Sequence, residues 1–237
     1  TGSENQGFGT YALGANTTAA NNTAVGYYTG KANTTGQLTA LGAYAAYAQT
    51  TGSNTTAIGS FALYANTTGD SNTAVGSAFG ATKGVLQDNT TGGNNTAIGV
   101  AALSTNTTAS NNTAVGKSAL TASTTATYNV AVGYLAGTAV TTGSYNTALG
   151  GDTLKFNTTG AQNTAIGMYA LNANTTASLN TAIGYTALLS NTTGTGNVAV
   201  GSYALDAATT ATQNTAVGVS AMSATTTGSY NTAVGSG

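Results

Sequence analysis

The stretch NTAIGMYALNANTTASL, residues 163–179, is followed at once by NTAIG at 180–184, and the second copy decides how the first is read. Outward from that pair, the glycine closing Asn-Thr-Ala-(Val/Ile)-Gly falls at Gly9, Gly26, Gly42, Gly59, Gly76, Gly99 and Gly116, then at Gly133, Gly150, Gly167, Gly184, Gly201, Gly218 and Gly235. From Gly99 onward the spacing is 17 residues throughout; Gly26 to Gly42 is one residue short and Gly76 to Gly99 six long. A fixed period of this size marks a solenoid, in which each unit hides its apolar face against its neighbours. The six extra residues fall near 81–88 and read as a loop extruded from one turn of a single domain spanning 1–237.

The unit is too short for the helical pairs of α-solenoids, and its constant columns are filled by Thr, Val and Ile with Gly between. The expected fold is therefore all-β, a parallel β-solenoid of about thirteen 17-residue turns with two short strands per turn. The first strand is Asn72 to Val75 and its equivalents; the second runs from the Ala-Leu pair, such as Ala62-Leu63, to Thr-Thr. At about 4.8 Å per turn the stack predicts a rod roughly 60 Å long.

Alternation along the first strand sends Ala one way and Val or Ile the other. Neither column is polar, so both faces predict burial: one in the narrow interior, the other against another copy of the chain. This oligomer or core stripe comprises Val25, Ile58, Val75, Ile98, Val115, Val132, Ile166, Ile183, Val200 and Val217. Asn heads the strand in twelve of fourteen motifs, as at Asn22, Asn112, Asn146, Asn180 and Asn231, and stacked amides predict a hydrogen-bonded ladder.

The motif Asn-Thr-Ala-(Val/Ile)-Gly-x-x-Ala resembles the head repeats of YadA-type trimeric autotransporter adhesins, and similar repeats occur in phage tail fibres. That resemblance covers nearly the whole chain and implies a left-handed β-roll, a homotrimer, and a place outside the cell, at the cell surface or on a virion. The repeat here is longer by an Asn-Thr-Thr segment, and the chain carries neither a heptad stalk nor barrel strands.

Composition narrows function by exclusion. Charged residues make up 4% of the chain, the net charge is −1, and there is no Cys, His, Trp, Pro or Arg. Acids and lysines stand singly in different turns, which argues against an enzyme, a metal site or a cofactor. No basic patch suits nucleic acid and no apolar run suits membrane insertion.

Three features remain for binding. Asn-Thr-Thr recurs at Asn16, Asn33, Asn66, Asn89, Asn106, Asn157, Asn174 and Asn191, formally N-glycosylation acceptors, yet the Thr pair persists where Asn is replaced. Tyrosines cluster just after the motif glycine, including Tyr27, Tyr28, Tyr44, Tyr134, Tyr169, Tyr185 and Tyr203, as a contact surface for host or matrix glycans or proteins, or as packing. The adjacent threonines give ranks of the kind that order water in ice-binding proteins, although neighbours point to opposite faces. The expectation is an extracellular fibrous or adhesive protein that associates with itself; a purely structural filament, glycosylated or not, is the alternative, and ice binding a third.

Overall fold

A computed structural model describes residues 2–78 and 80–237. The described chain contains fourteen strands and no helix, and every strand pair given by the structure is parallel. It divides into two compact units, 1–125 and 126–237. Unit 1 holds β1 (Gln6–Phe8), β2 (Thr23–Val25), β3 (Leu38–Leu41), β4 (Thr55–Ile58), β5 (Thr73–Val75), β6 (Thr96–Ile98) and β7 (Thr113–Val115). Unit 2 holds β8 (Val130–Val132), β9 (Thr147–Leu149), β10 (Thr164–Ile166), β11 (Thr181–Ile183), β12 (Val198–Val200), β13 (Thr215–Val217) and β14 (Thr232–Val234). Within each unit the strands follow chain order and like residues face like: Ala165 opposite Ala182, Ile166 opposite Ile183. The expected β-solenoid is the fold.

One expectation is corrected: each turn has one strand, not two. The segment from Ala-Leu to Thr-Thr is bonded to neighbouring turns, but not in β conformation. Leu63, Leu103, Leu171 and Leu205 have φ of 49–51°, a left-handed setting that disfavours any side chain. It reverses the peptide so that backbone groups point along the axis, and Leu171 N–H reaches Ala187 O at 3.0 Å in the next turn. Two residues earlier, Tyr203 is left-handed too (φ 60°) and its N–H points the opposite way, to Tyr185 O at 3.0 Å. Satisfying these buried groups is what sustains the strained residues.

The insertion is also relocated. Val85 and Leu86 occupy the Ala and Leu columns, with Leu63 N–H donating to Val85 O and Leu86 N–H to Ala102 O. Ala78 N–H still reaches Ser60 O, so the extra residues lie between Ala78 and Val85 rather than over 81–88. Phe79 lies outside the described residues. Register survives the insertion, with Val75 paired to Ile98.

The interior repeats as well. Each regular turn buries Ala from the strand, Ala and Leu from the bend, and two asparagines, as Ala182, Ala187, Leu188, Asn180 and Asn191 show. Where the Leu column is lost, another residue fills in. Gly30 replaces Leu in the short turn, and a Cβ there would lie 2.6 Å from Leu38 Cδ2, because Leu38 has swung into the space. Gly137 does the same in unit 2, and Val140 is fully buried three residues on. Volume is conserved within the turn, as close packing demands.

Candidate functional site

The Ala column faces in, and the Val/Ile column faces out. Ile58, Ile98 and Val132 are exposed at 36–40%, while Val75, Val115, Ile166, Val200 and Val217 are half-buried. Of the stripe's two readings, the structure therefore gives the outer one; no member belongs to the chain's own core. Two residues earlier on the same face stands Thr, except for Gln6 in β1 and for Val130 and Val198. Thr164 with Ile166 and Thr181 with Ile183 are typical, and neither column carries a charge anywhere in the chain.

The Asn-Thr-Thr asparagines are not surface groups. Asn33, Asn66, Asn89, Asn106, Asn157, Asn174 and Asn191 are wholly buried and Asn16 half-buried. Each amide closes its own turn: Asn174 Nδ2 donates to Ala177 O at 3.0 Å. It also donates to the preceding turn, to Asn157 Oδ1 at 2.8 Å, and Asn191 continues the rank to Asn174 Oδ1 at 3.0 Å. A glycan on these nitrogens would have to leave through the packed interior, so the folded turn presents no acceptor here. The strand-head asparagines form the expected ladder, with Asn197 Nδ2 on Asn180 Oδ1 and Asn214 Nδ2 on Asn197 Oδ1, both at 3.2 Å. The sequence therefore contains two amide ladders. The second was recognisable from its neighbours, since a Gly or Ala stands three residues after almost every such Asn and supplies the accepting carbonyl.

The second ladder has breaks that make a prediction. Asn191 Oδ1 is buried without a partner because Ala208 stands in its column in the next turn. Ala208→Asn supplies the missing donor, and adding Thr225→Asn moves the unpaired end to a half-buried position. At about 1 kcal/mol per bond gained, the double variant is expected to be more stable by roughly 1–3 kcal/mol, read from denaturant unfolding.

In the Thr pair, the first hydroxyl is spent on the axis: Thr175 Oγ1 donates to Thr192 O at 3.1 Å, and Thr192 Oγ1 to Thr209 O at 3.1 Å. Apart from the terminal pairs, where Thr17 and Thr226 are exposed too, only the second threonine, such as Thr176 or Thr193, is exposed, which leaves one rank rather than two.

The tyrosines pack on one another. Tyr28 and Tyr44 stack at 5.7 Å and 6°, Tyr44 and Phe61 at 5.1 Å and 13°. Tyr47 and Tyr64, absent from the sequence-based set, form a second rank at 5.1 Å and 7°. Tyr27 meets Tyr28 edge-on at 4.3 Å, and burial there, with the Tyr28 hydroxyl, holds the Tyr27 phenol above the ordinary tyrosine range. In unit 2, Tyr185 stands edge-on between Tyr169 and Tyr203, and Tyr134 is exposed. Most ring faces in these ranks are taken up by other rings, so edges and hydroxyls are what they present.

Acids pair locally. Asp152 accepts from Lys155 at 2.7 Å and raises the Lys155 ammonium, Asp88 pairs with Lys83, and Asp70 accepts from the Ser53 N–H at 2.7 Å. Among the described residues no cluster of three or more His, Cys, Asp or Glu stands together. The outer strand face is thus the most regular surface each unit presents. No protein-family model, curated protein or solved structure matches the chain.

Proposed function

We propose that this chain is a structural β-solenoid segment of an extracellular or virion fibre, held to further copies of itself through the outer strand face. The observation that carries this reading is the uncharged Thr and Val/Ile pair, repeated at the outer side of strand after strand in both units. A continuous aliphatic rank left in water favours association. A second copy is the fitting partner because it has the same rise of about 4.8 Å per turn. Its ranks stay in step along the whole face, whereas an unrelated surface would fall out of step within a few turns. The absence of charge on these columns excludes a strongly charged partner. The resemblance to trimeric adhesin heads suggests three copies side by side, with attachment arising from many weak contacts.

The test places charge on the face without touching the interior. Ile166→Lys with Ile183→Lys is expected to give a folded monomer by light scattering and circular dichroism, where the unaltered chain is an oligomer. An unaltered chain that stays monomeric at every concentration would refute the reading.

A further inference from the structure

The repeat is shortened once, and the backbone shows which position is lost. In every other turn the residue before the strand head is left-handed, as at Asn21 (φ 61°), Asn54 (φ 55°), Ser71 (φ 55°) and Asn94 (φ 57°). Between Gly30 and Gly42 no residue has positive φ. The ridge these residues build along unit 1 therefore has one gap, between Asn21 and Asn54. That gap is a cavity of about 230 Å³, walled by Asn21, Gln37, Thr39, Asn54 and Thr56.

Its floor is fixed. Leu38 fills the space over Gly30, and Thr55 replaces the ladder Asn with its hydroxyl held by Gln49 Nε2 at 2.6 Å and aimed at Gln37 O at 3.3 Å. Gln49 in turn donates to Gly52 O at 2.7 Å and accepts from Asn66 at 3.2 Å. The shortening is thus absorbed with the core filled, at the cost of one buried acceptor, Asn33 Oδ1, left without a partner, and the notch is pre-formed. Its walls are different: Asn21, Gln37, Thr39 and Asn54 are exposed and Thr56 is half-buried, and their side-chain amides and hydroxyls face solvent without a hydrogen-bond partner within the described chain.

Five solvent-facing groups, each able to donate and accept, line one open notch with no charge in its lining. An ion would find no counter-charge there, and an apolar ligand would strip water from the amides it covers without replacing those hydrogen bonds. The chemistry that answers both is a neutral polyhydroxylated ring. At about 230 Å³ and open to solvent, the notch has the size of a small-ring site rather than of a long groove. We infer that the notch at the short turn binds a single neutral sugar residue, free or within a glycan. Affinity at so small a site is weak, on the order of millimolar, and becomes effective through repetition of the chain in a fibre. The site does not require self-association, since the Val/Ile rank takes no part in it, but Thr39 and Thr56 belong to the threonine column of the outer face, so self-association would cover part of it.

The experiment is a titration of the isotope-labelled chain with glucose, galactose, mannose, N-acetylglucosamine and neutral oligosaccharides of each, following the side-chain amide signals of Asn21, Gln37 and Asn54. At least one sugar is expected to shift these signals saturably and few others; free sugars and oligosaccharides separate the two sources. Inserting one Asn between Gln37 and Leu38 restores the full turn and is expected to abolish the response. Asn54→Ala, which leaves the turn length alone, is expected to weaken it at least five-fold. No saturable shift with any sugar overturns the inference, as does a response that survives Asn54→Ala undiminished. Running the titration on the Ile166→Lys, Ile183→Lys chain as well reads sugar binding apart from self-association.

Discussion

Gly184→Ala is expected to destabilise the protein by about 3–5 kcal/mol or to prevent unit 2 from folding, whereas Gly151→Ala leaves it folded and within about 1 kcal/mol of the unaltered chain. The two glycines differ in what surrounds them. Gly184 has φ +138°, a setting that side chains rarely adopt. A Cβ on it would stand 2.5 Å from Gly201 O, 2.6 Å from Gly201 C and 2.9 Å from Ser202 N. These are backbone atoms of the next turn and cannot rotate away. Relief requires parting the two turns where Gly201 N–H donates to Ile183 O at 2.8 Å, which sacrifices the ladder at that level. The strain alone costs about 1–3 kcal/mol, and the parted ladder adds the loss of buried hydrogen bonds at roughly 1–3 kcal/mol for each group left unpaired. Gly151 has no atom within 4 Å of the same imagined Cβ and no positive φ. Chemical denaturation followed by circular dichroism separates the pair. Equal midpoints for both variants would mean that the motif glycine is not there for the approach of neighbouring turns.

The column containing Gly184 was also what made the fold legible. A glycine that never leaves its place across fourteen motifs fixes the period, and the period fixes a stack. Alternation in Thr164-Ala165-Ile166 then separated inside from outside, because a strand has only two faces. What stayed hidden was the other half of the turn. Leu171 sits among Ala and Thr as it would in a strand, and nothing in its type announces φ of 50°. The setting is unfavourable for Leu in isolation and exists only because Leu171 N–H and Ala187 O meet across turns. A preference imposed by the neighbouring turn is not visible in the residue that obeys it. The same holds for Asn174, whose local sequence is that of a glycosylation acceptor and whose burial is decided by the turns on either side. The notch at Leu38 was half legible: the missing residue could be counted, but the cavity it leaves depends on the backbone of Asn21 and Asn54.

Asn180→Ala is expected to cost about 3–5 kcal/mol, against less than about 0.5 kcal/mol for Thr176→Ala on the exposed rank of the same unit. Asn180 is fully buried. Its Oδ1 accepts from Asn197 N–H at 2.9 Å and from Asn197 Nδ2 at 3.2 Å, and its Nδ2 donates to Gly194 O at 2.9 Å. Alanine keeps the backbone bond from Asn180 to Asn163 Oδ1 but leaves Asn197 N–H without a partner in a dry interior, and Gly194 O keeps only the bond from Asn191 Nδ2 at 3.0 Å. The orphaned N–H costs about 1–3 kcal/mol, and the bond lost at Gly194 O and the space of the missing amide add to it. Because a solenoid is stabilised turn by turn, the loss concentrates at one level. Amides of β11 and β12 should exchange faster with deuterium than those of β9. Asn180→Asp supplies a sharper reading. A buried carboxylate without a counter-charge is held above the usual carboxylate range, so the neutral acid is the form the fold tolerates. Stability of that variant is therefore fullest below about pH 4, where the unfolded carboxyl is also protonated, and is lost as pH rises above it. The protonated acid can donate to Gly194 O as the amide does, and the carboxylate cannot. If Asn180→Asp were as stable at neutral pH as in acid, or Asn180→Ala no worse than Thr176→Ala, the amide ladder would be a passenger in this fold rather than one of its supports.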